Sequence, residues 1–217
     1  MHTSINNLAL INNQIKTKFS ESHKLNIIAV SKTFPISEIN PLIKSGHIHF
    51  GENKVQEAIQ KWSKIKISSK SLKLHMVGKL QTNKVKQAVS LFDYIHSLDN
   101  IKLAAKISNE QKKIEKNLKI FIQVNLGNEE QKSGVDKKNL KEFYKTCIED
   151  FKLNIIGLMC IPPNEVEVKL YFKELADLNK LLGLKELSMG MSSDYLEAIN
   201  FGATFVRIGS KIFGSRN

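Results

Sequence analysis

The segment Leu25-Asn26-Ile27-Ile28-Ala29-Val30-Ser31-Lys32 runs from an uninterrupted apolar stretch directly into a lysine. Consecutive apolar residues without alternation are typical of a parallel strand that is buried on both faces. Further apolar runs follow along the chain, and helical stretches lie between them: 48–51, 72–78, 94–97, 119–125, 154–160, 186–190 and 204–209. This alternation of strands and helices predicts an α/β fold built on a parallel sheet.

Helical periodicity and glycine positions support the alternation. Apolar residues repeat at spacings of three and four within 55–65 and within 168–182. Gly46, Gly183 and Gly202 each lie between a helical stretch and the next strand, where a left-handed C-cap is expected. The first twenty residues are also amphipathic. We therefore predict one domain over residues 1–217, with an extra helix at 1–20 and the strands and helices at 25–217.

Polar side chains follow nearly every predicted strand. They are Lys32, Glu52, Asn53, Lys79, Gln81, His96, Ser97, Asn125, Ser192, Arg207 and Ser210. An open doubly wound sheet would concentrate such residues at one switch point. A closed barrel places the ends of all its strands around one mouth, where barrel enzymes hold their sites. The sequence therefore predicts a single (β/α)8 barrel of the TIM type.

The charge pattern argues against a nucleic-acid reader. The formal net charge is +12, but it comes from 31 Lys and only two Arg, and the lysines are spread along the chain. Nucleic-acid modules favour Arg, because guanidinium pairs bidentately with phosphates and base edges. Most of these lysines are interpreted as solvated charges. No specific nucleic-acid partner is expected.

The remaining composition predicts a soluble cytoplasmic protein. No stretch approaches the roughly 20 apolar residues that a membrane span requires, and no leader pattern is present at the start of the sequence. Cys147 and Cys160 lack a metal-binding spacing and are interpreted as buried free thiols. The histidines show no metal-binding spacing either, and His75, on a predicted strand, is interpreted as a hydrogen-bonded core residue.

Lys32 is open to two interpretations. A lysine that directly follows a buried strand can be partly desolvated, which leaves a nucleophilic amine suited to a Schiff base. It can equally extend its charged end into solvent while its stem packs on the strand. The residue alone does not decide between them.

Two loops near the carboxyl terminus have the features of a phosphate site. The segment 187–194 joins a strand to a serine-rich helix start around Ser192, and Gly209-Ser210 follows the last strand. Barrels often hold phosphate between these two loops, although ordinary helix capping would need similar residues. Arg207 lies on the last apolar strand of a chain that otherwise uses Lys, so a guanidinium is required there. It can face a ring nitrogen or an anion, or form an ion pair with a carboxylate such as Glu52.

Several motifs, taken together and in order, resemble the pyridoxal phosphate homeostasis protein family, the YggS/PROSC-type group. They lie at 29–33, 50–53, 75–84, 132–134, 157–159, 187–194 and 206–210. The resemblance implies a fold-type III barrel, related to the N-terminal domain of alanine racemase, that binds pyridoxal 5′-phosphate (PLP). It implies a Schiff base on Lys32, with Asn53 beside the cofactor ring and Arg207 facing its pyridine nitrogen. Ser192, Gly209 and Ser210 would hold the phosphate.

The resemblance further implies a carrier or buffer of PLP, with PLP-dependent apo-enzymes as possible recipients. A cationic Arg207 would disfavour protonation of the pyridine nitrogen and so weaken the cofactor as an electron sink. We therefore expect no robust catalysis and, without a second domain, a monomer. Two alternatives stay open. One is a PLP-dependent amino-acid racemase, and the other is a PLP-independent phosphosugar barrel in which Lys32 is an aldolase-type amine.

Overall fold

The computed structural model describes residues 2–19, 25–127, 133–163 and 167–214. Within these residues, eight parallel strands form the wall of the fold. They are β1 (Asn26–Val30), β2 (His49–Glu52), β3 (Lys73–Met76), β4 (Tyr94–Leu98), β5 (Lys119–Asn125), β7 (Ile155–Met159), β8 (Glu186–Ser188) and β9 (Phe205–Ile208). A two-residue strand, β6 (Val135–Asp136), pairs with the end of β5. Each predicted strand is present.

The sheet closes on itself. The first strand pairs with the last, so that Ile28 lies opposite Arg207. On the far side β4 pairs with β5, with Tyr94 opposite Lys119. Because all neighbouring strands are parallel, their carboxyl ends meet at one mouth. The predicted (β/α)8 barrel is confirmed, and the open doubly wound sheet is ruled out.

Helices connect the strands on the outside. They are α1 (Thr3–Lys18), α2 (Ile36–Lys44), α3 (Val55–Ser68), α4 (Val85–Leu91), α5 (Ile101–Lys113), α6 (Leu140–Glu149), α7 (Val168–Leu181), α8 (Tyr195–Asn200) and α9 (Ser210–Phe213). The predicted amino-terminal helix is present as α1, although residues 1 and 20 at its predicted limits lie outside the described residues. The extent of the domain over 1–217 stays a prediction.

The strands are buried on both faces, as their apolar runs predicted. Ile28 and Val30 point into the barrel, where they join an inner cluster. Ile27 and Ala29, between them, join the larger core beneath the helices. The inner cluster contains Ile28, Val30, Val77, Tyr94, Phe121, Met159 and Phe205. Alternation along β1 therefore sends residue 30 inward, residue 31 outward and residue 32 inward again, at the carboxyl mouth.

The predicted glycine C-caps are confirmed. Gly46, Gly183 and Gly202 have φ values of +91°, +67° and +85°, a region that costs glycine little and other residues more. Gly157 has a different role. A Cβ there would lie 1.8 Å from the carbonyl oxygen of Glu186, so only glycine lets β7 and β8 approach this closely.

Both cysteines are buried and unpaired with each other, as predicted. Burial raises the pKa of Cys147 and of Cys160 to about 12, so both thiols are protonated and unreactive at neutral pH. No helix in the described part of the chain is both long and apolar enough to cross a membrane.

Candidate functional site

A cavity of about 350 Å³ opens at the carboxyl ends of the strands. The structure brings every predicted site residue to its wall: Lys32, Asn53, Ser192, Arg207, Gly209 and Ser210. The rest of the described lining is Val30, Phe34, Val77, Ile161, Met191, Ser193 and Gly214. Its size falls within the roughly 300–1,000 Å³ of small-molecule sites. Apolar walls with a few polar groups at the edges are also typical of such sites.

The turn that carries Lys32 has an unusual backbone. Thr33, directly after it, has a φ of +69°, which is rare for a β-branched residue and marks local strain. The Thr33 amide donates to a carboxylate oxygen of Glu57 on α3. Before the lysine, the Ser31 hydroxyl donates to Glu52 Oε1 over 2.7 Å. Contacts on both sides of Lys32 therefore hold its backbone in place.

Lys61, on α3, completes this arrangement. Its ammonium group donates to the Ser31 carbonyl over 2.8 Å and lies 2.7 Å from Glu52 Oε1 and 2.8 Å from Glu57 Oε1. The Lys61 side chain is only 11% exposed. Lys61 is therefore an exception to the interpretation of most lysines as solvated charges. The helical pattern could not reveal this, because the acceptors come from a strand and a turn.

Glu52 faces the helices rather than the barrel mouth. Its Oε1 also accepts from Trp62 Nε1 over 3.0 Å, and its side chain is fully buried. Burial raises the pKa of Glu52, and the hydrogen bonds from Lys61, Trp62 and Ser31 oppose that rise. Its Oε2 atom is buried without a hydrogen-bond partner among the described residues. Glu52 thus anchors the turn from outside the cavity.

The Arg207 guanidinium is buried between β7 and β8. Its Nη1 donates to the Ser188 hydroxyl over 2.7 Å, and its Nη2 donates to the Cys160 carbonyl over 2.9 Å. The proposed alternative of an ion pair with Glu52 is wrong, because Glu52 pairs with Lys61. Burial lowers the pKa of Arg207, but a guanidinium stays protonated at neutral pH. A buried cation with two neutral acceptors therefore borders the cavity.

The two predicted phosphate loops meet at Ser192. Its hydroxyl oxygen accepts from the amides of Gly209 and Lys211, over 3.3 and 3.4 Å. A Cβ on Gly209 would lie 3.3 Å from the Val30 carbonyl oxygen, so the loop packs tightly on the end of β1. Two amides directed at one oxygen from across the cavity edge suit an anion. The loop after β8 is shaped by Asp194, which accepts from the Met191 amide over 2.6 Å.

A chain of three imidazoles, from the half-buried His49 to the buried His75 and His96, crosses the barrel interior. His49 Nδ1 lies 2.9 Å from His75 Nε2, and His75 Nδ1 lies 2.9 Å from His96 Nε2. His96 Nδ1 lies 2.8 Å from the Ser188 hydroxyl oxygen, and this oxygen accepts from Arg207 Nη1. The interpretation of His75 as a hydrogen-bonded core residue is confirmed. Burial lowers the pKa of both His75 and His96 well below the usual histidine value, so both are neutral.

Sequence reasoning missed the residues that support the site from behind. Ser188 bonds to Arg207, His96 bonds to Ser188, and Lys61 bonds to the turn before Lys32. Ser188 lies in the quoted 187–194 segment and His96 among the strand-end polar residues, but neither was assigned a role, and Lys61 carries no motif. Period-two alternation could have indicated Ser188, because Leu187 beside it packs into the core beneath the helices and alternation then directs Ser188 inward. Lys132, in one of the quoted motifs, and Arg216, the second arginine, lie outside the described residues.

The fold and this mouth define a class: a barrel with a lysine after β1 and, between the last two strand exits, an edge formed by the Ser192 hydroxyl and two backbone amides. The sequence pattern of the alanine racemase N-terminal domain matches residues 6–217. The pyridoxal phosphate homeostasis protein of Aquifex aeolicus (strain VF5) is 40% identical over 199 residues, 88% of this chain and 86% of the relative. That of Escherichia coli (strain K12) is 34% identical, covering 100% of this chain and 98% of the relative. The chain belongs to the pyridoxal phosphate homeostasis protein family.

Solved structures agree. PipY of Synechococcus elongatus PCC7942, in a structure described as having PLP bound, superposes with a TM-score of 0.88 at 33% identity, covering 97% of this chain and 100% of that one. An alanine racemase of Clostridium difficile 630 superposes with a TM-score of 0.74 at 15% identity, covering 97% of this chain and 57% of that one. At that identity the racemase shows the shared barrel and nothing more.

Proposed function

We propose that this protein binds PLP in the carboxyl-mouth cavity as a Schiff base on Lys32 and acts in PLP homeostasis as a carrier. The observation that carries the proposal is the meeting of Lys32, Arg207 and the Ser192–Gly209 edge around one cavity. A relative at 33% identity is described with PLP bound, and relatives at up to 40% identity are named for PLP homeostasis.

The residues fit the cofactor's chemistry. PLP has an aldehyde, a phosphate and an aromatic ring with a basic nitrogen. The Lys32 amine would hold the cofactor through its aldehyde carbon, with formation of a C=N bond and loss of water. Gly209 and Lys211 amides, now directed at Ser192, supply donors for the phosphate together with the hydroxyls of Ser192 and Ser210. Val30 and Val77 offer apolar contacts for the ring, and Asn53 lies at its edge of the cavity.

Arg207 supports a holding function rather than a catalytic one. When bound, PLP acts as an electron sink, most strongly with a protonated pyridine nitrogen. The Arg207 cation is fixed by Ser188 and Cys160, and beside a pyridine nitrogen it would disfavour protonation of that nitrogen. Among the described residues that line the cavity, Lys32 is also the one side chain able to act as a base at neutral pH.

A PLP-dependent racemase is the second candidate, because the matched sequence pattern is that of the alanine racemase N-terminal domain. Racemisation needs an acid–base group on each face of the cofactor. Tyrosine is a candidate for the second group, but the Tyr195 hydroxyl donates to Gln14 on α1, and Tyr94 lies at the amino end of β4. This arrangement supports the carrier over the racemase.

Borohydride reduction followed by peptide mapping tests the attachment. With added PLP, the wild-type protein should show the absorbance of a Schiff base and retain one label, on Lys32. Lys32→Ala should lose both, whereas Lys79→Ala, which changes an exposed lysine outside this cavity, should keep both. A label on another lysine would overturn the assignment, and no absorbance change with PLP would revive the phosphosugar barrel.

Chiral analysis separates carrier from racemase. Alanine and serine incubated with the holoprotein should racemise no more than they do with the Lys32→Ala variant. We further propose that the carrier is a cytoplasmic monomer that delivers PLP to apo-enzymes. Activation of an apo-enzyme faster than by the same free PLP concentration would support direct delivery, and equal rates would contradict it.

A further inference from the structure

The imidazole chain has a defined direction. Arg207 carries only donors, so the Ser188 oxygen accepts from it and the Ser188 hydrogen must be donated elsewhere. Its partner is His96 Nδ1, at 2.8 Å. Because a buried hydroxyl hydrogen without an acceptor is costly, His96 Nδ1 is the acceptor and His96 carries its proton on Nε2.

The same donor counting assigns the next two rings. His96 Nε2–H donates to His75 Nδ1, so the neutral His75 carries its proton on Nε2. His75 Nε2–H donates to His49 Nδ1. The remaining proton of neutral His49 is therefore on Nε2, the ring nitrogen directed away from His75. In the described part of the chain this N–H has no hydrogen-bond acceptor.

His49 lies at the opposite end of the barrel from Lys32. A second cavity, of about 560 Å³, opens there. The first residues of all eight barrel strands lie on its wall, and those with charged or ring side chains that can hydrogen-bond are His49, Lys73, Tyr94, Lys119 and Glu186. Lys185, Tyr144 and Asn26 are the other polar residues of its lining. It is separate from the cavity that contains Lys32.

The polar groups of this second cavity are mostly donors. Lys119 Nζ donates to the Tyr94 hydroxyl oxygen over 3.2 Å, which leaves the Tyr94 hydrogen available. Three lysines, Lys73, Lys119 and Lys185, line the cavity together with one carboxylate, Glu186. The lining therefore has an excess of two positive charges. Asp93 is nearby, but it is already paired with Lys66 at 2.6 Å. Burial, together with His47, Lys73 and Lys119, lowers the pKa of His49 to about 4.

We propose that this amino-mouth cavity binds a small oxyanion, held by His49 Nε2–H together with the ammonium groups of Lys73 and Lys119. Like charges gathered at one mouth repel one another, and a bound anion offsets that repulsion. A phosphate and a carboxylate share this chemistry. Because the chain of hydrogen bonds ends on Arg207, the donor state of His49 is set from the cofactor side of the barrel.

The first test determines the protonated nitrogen of each ring. Long-range ¹H–¹⁵N spectra of the ¹⁵N-histidine protein distinguish the two neutral tautomers, and loss of a signal in His49→Gln assigns it. We expect the Nε2–H form for His49, His75 and His96. A His49 ring protonated on Nδ1 overturns the proposal.

The second test is a titration of the PLP-saturated protein with inorganic phosphate or acetate, at ionic strength held constant with chloride. The His49 signal should shift saturably, with a dissociation constant of roughly millimolar order, and the tighter of the two anions identifies the class. Equal responses to all three salts overturn the site. The readout is local to His49, so it stands or falls independently of PLP binding, while saturation with PLP keeps phosphate out of the Ser192 edge.

Matched variants complete the test. Lys73→Gln/Lys119→Gln should weaken anion binding about fivefold or more, since two facing charges are lost. Lys102→Gln/Lys173→Gln removes the same charge from exposed positions on α5 and α7 and should leave the affinity unchanged. Equal affinities in the two double variants would show general screening, not a site, and would overturn the proposal.

Discussion

Lys61 Nζ lies 2.7 Å from Glu52 Oε1, and this buried ion pair joins helix α3 to the end of strand β2. The same ammonium group donates to the Ser31 carbonyl at 2.8 Å, one residue before Lys32. The position of the proposed cofactor lysine therefore depends on a second lysine that does not line the cavity. Removal of Lys61 should affect both stability and cofactor attachment.

Lys61→Met should lower the free energy of unfolding by about 3–5 kcal/mol, because Glu52 would be left as a buried, unpaired charge. It should also weaken PLP attachment, since the 31–34 turn loses the hydrogen bonds that Lys61 donates to the Ser31 and Phe34 carbonyls. Urea unfolding and PLP titration measure the two effects. Lys64→Met, an exposed site on the same helix, is the control. A difference between the two variants within roughly 0.5 kcal/mol would show that the pair contributes little.

Ser192→Ala should weaken PLP binding by roughly tenfold, the effect of losing about one hydrogen bond to a charged group. The Gly209 and Lys211 amides would keep their positions but lose the hydroxyl that they now share. Ser193→Ala removes a neighbouring hydroxyl from the same cavity wall and should change affinity less. Equal losses in both variants would contradict a specific role for Ser192. Equilibrium titration of the absorbance band gives both affinities.

Arg207→Lys should destabilise the protein by roughly 2–3 kcal/mol, because one ammonium group cannot satisfy both Ser188 and Cys160 as the guanidinium fork does. A buried lysine also loses its proton more readily than arginine, so the repulsion felt by the pyridine nitrogen would fall. We therefore expect faster exchange of the alanine Cα hydrogen in D₂O with the variant holoprotein. Unchanged exchange, measured by NMR, would contradict the proposed restraint by Arg207.

The buried histidines predict loss of stability in mild acid. Burial lowers the pKa of His75 and His96 well below 6.5 and that of His49 to about 4. Between those values and 6.5 the unfolded chain binds more protons, so stability is full above pH 6.5 and falls as the pH drops. His75 and His96, which are fully buried, should each contribute a loss of roughly 1 kcal/mol per pH unit in that window, and the half-buried His49 should contribute less.

Urea unfolding at pH 7.5, 6.0 and 5.0 measures this slope. Glu52 acts in the opposite sense, because burial raises its pKa and its cost is relieved as it protonates, but one group offsets only part of the effect. Partial burial raises the pKa of Glu57, but hydrogen bonds from Lys61 and the Thr33 amide outweigh this effect and lower it. The stability that Glu57 contributes is therefore lost as the pH falls. A stability that is constant from pH 7.5 to 5.0 would contradict neutral buried histidines.

Most of the barrel could be predicted because its signals are local. The run Ile27-Ile28-Ala29-Val30 is apolar on both faces because β1 separates two cores. Four consecutive apolar residues are enough to indicate a strand that is buried on both faces. Gly46 and Gly202 mark helix ends because the left-handed conformation is a property of single residues. The location of the proposed site residues could also be predicted, because parallel strands bring their carboxyl ends to one mouth whatever the details of packing.

Partner choice was different. No pattern in the chain indicated that Lys61 would be buried against Glu52, or that Arg207 would bond to Ser188 and not to a carboxylate. Nor did it indicate that His49, His75 and His96 would align across the barrel axis. These contacts join residues of different strands and helices, and a hydrogen bond depends on distances of a few tenths of an ångström. Periodicity sets which face a side chain occupies, whereas closure of the barrel sets what it meets there.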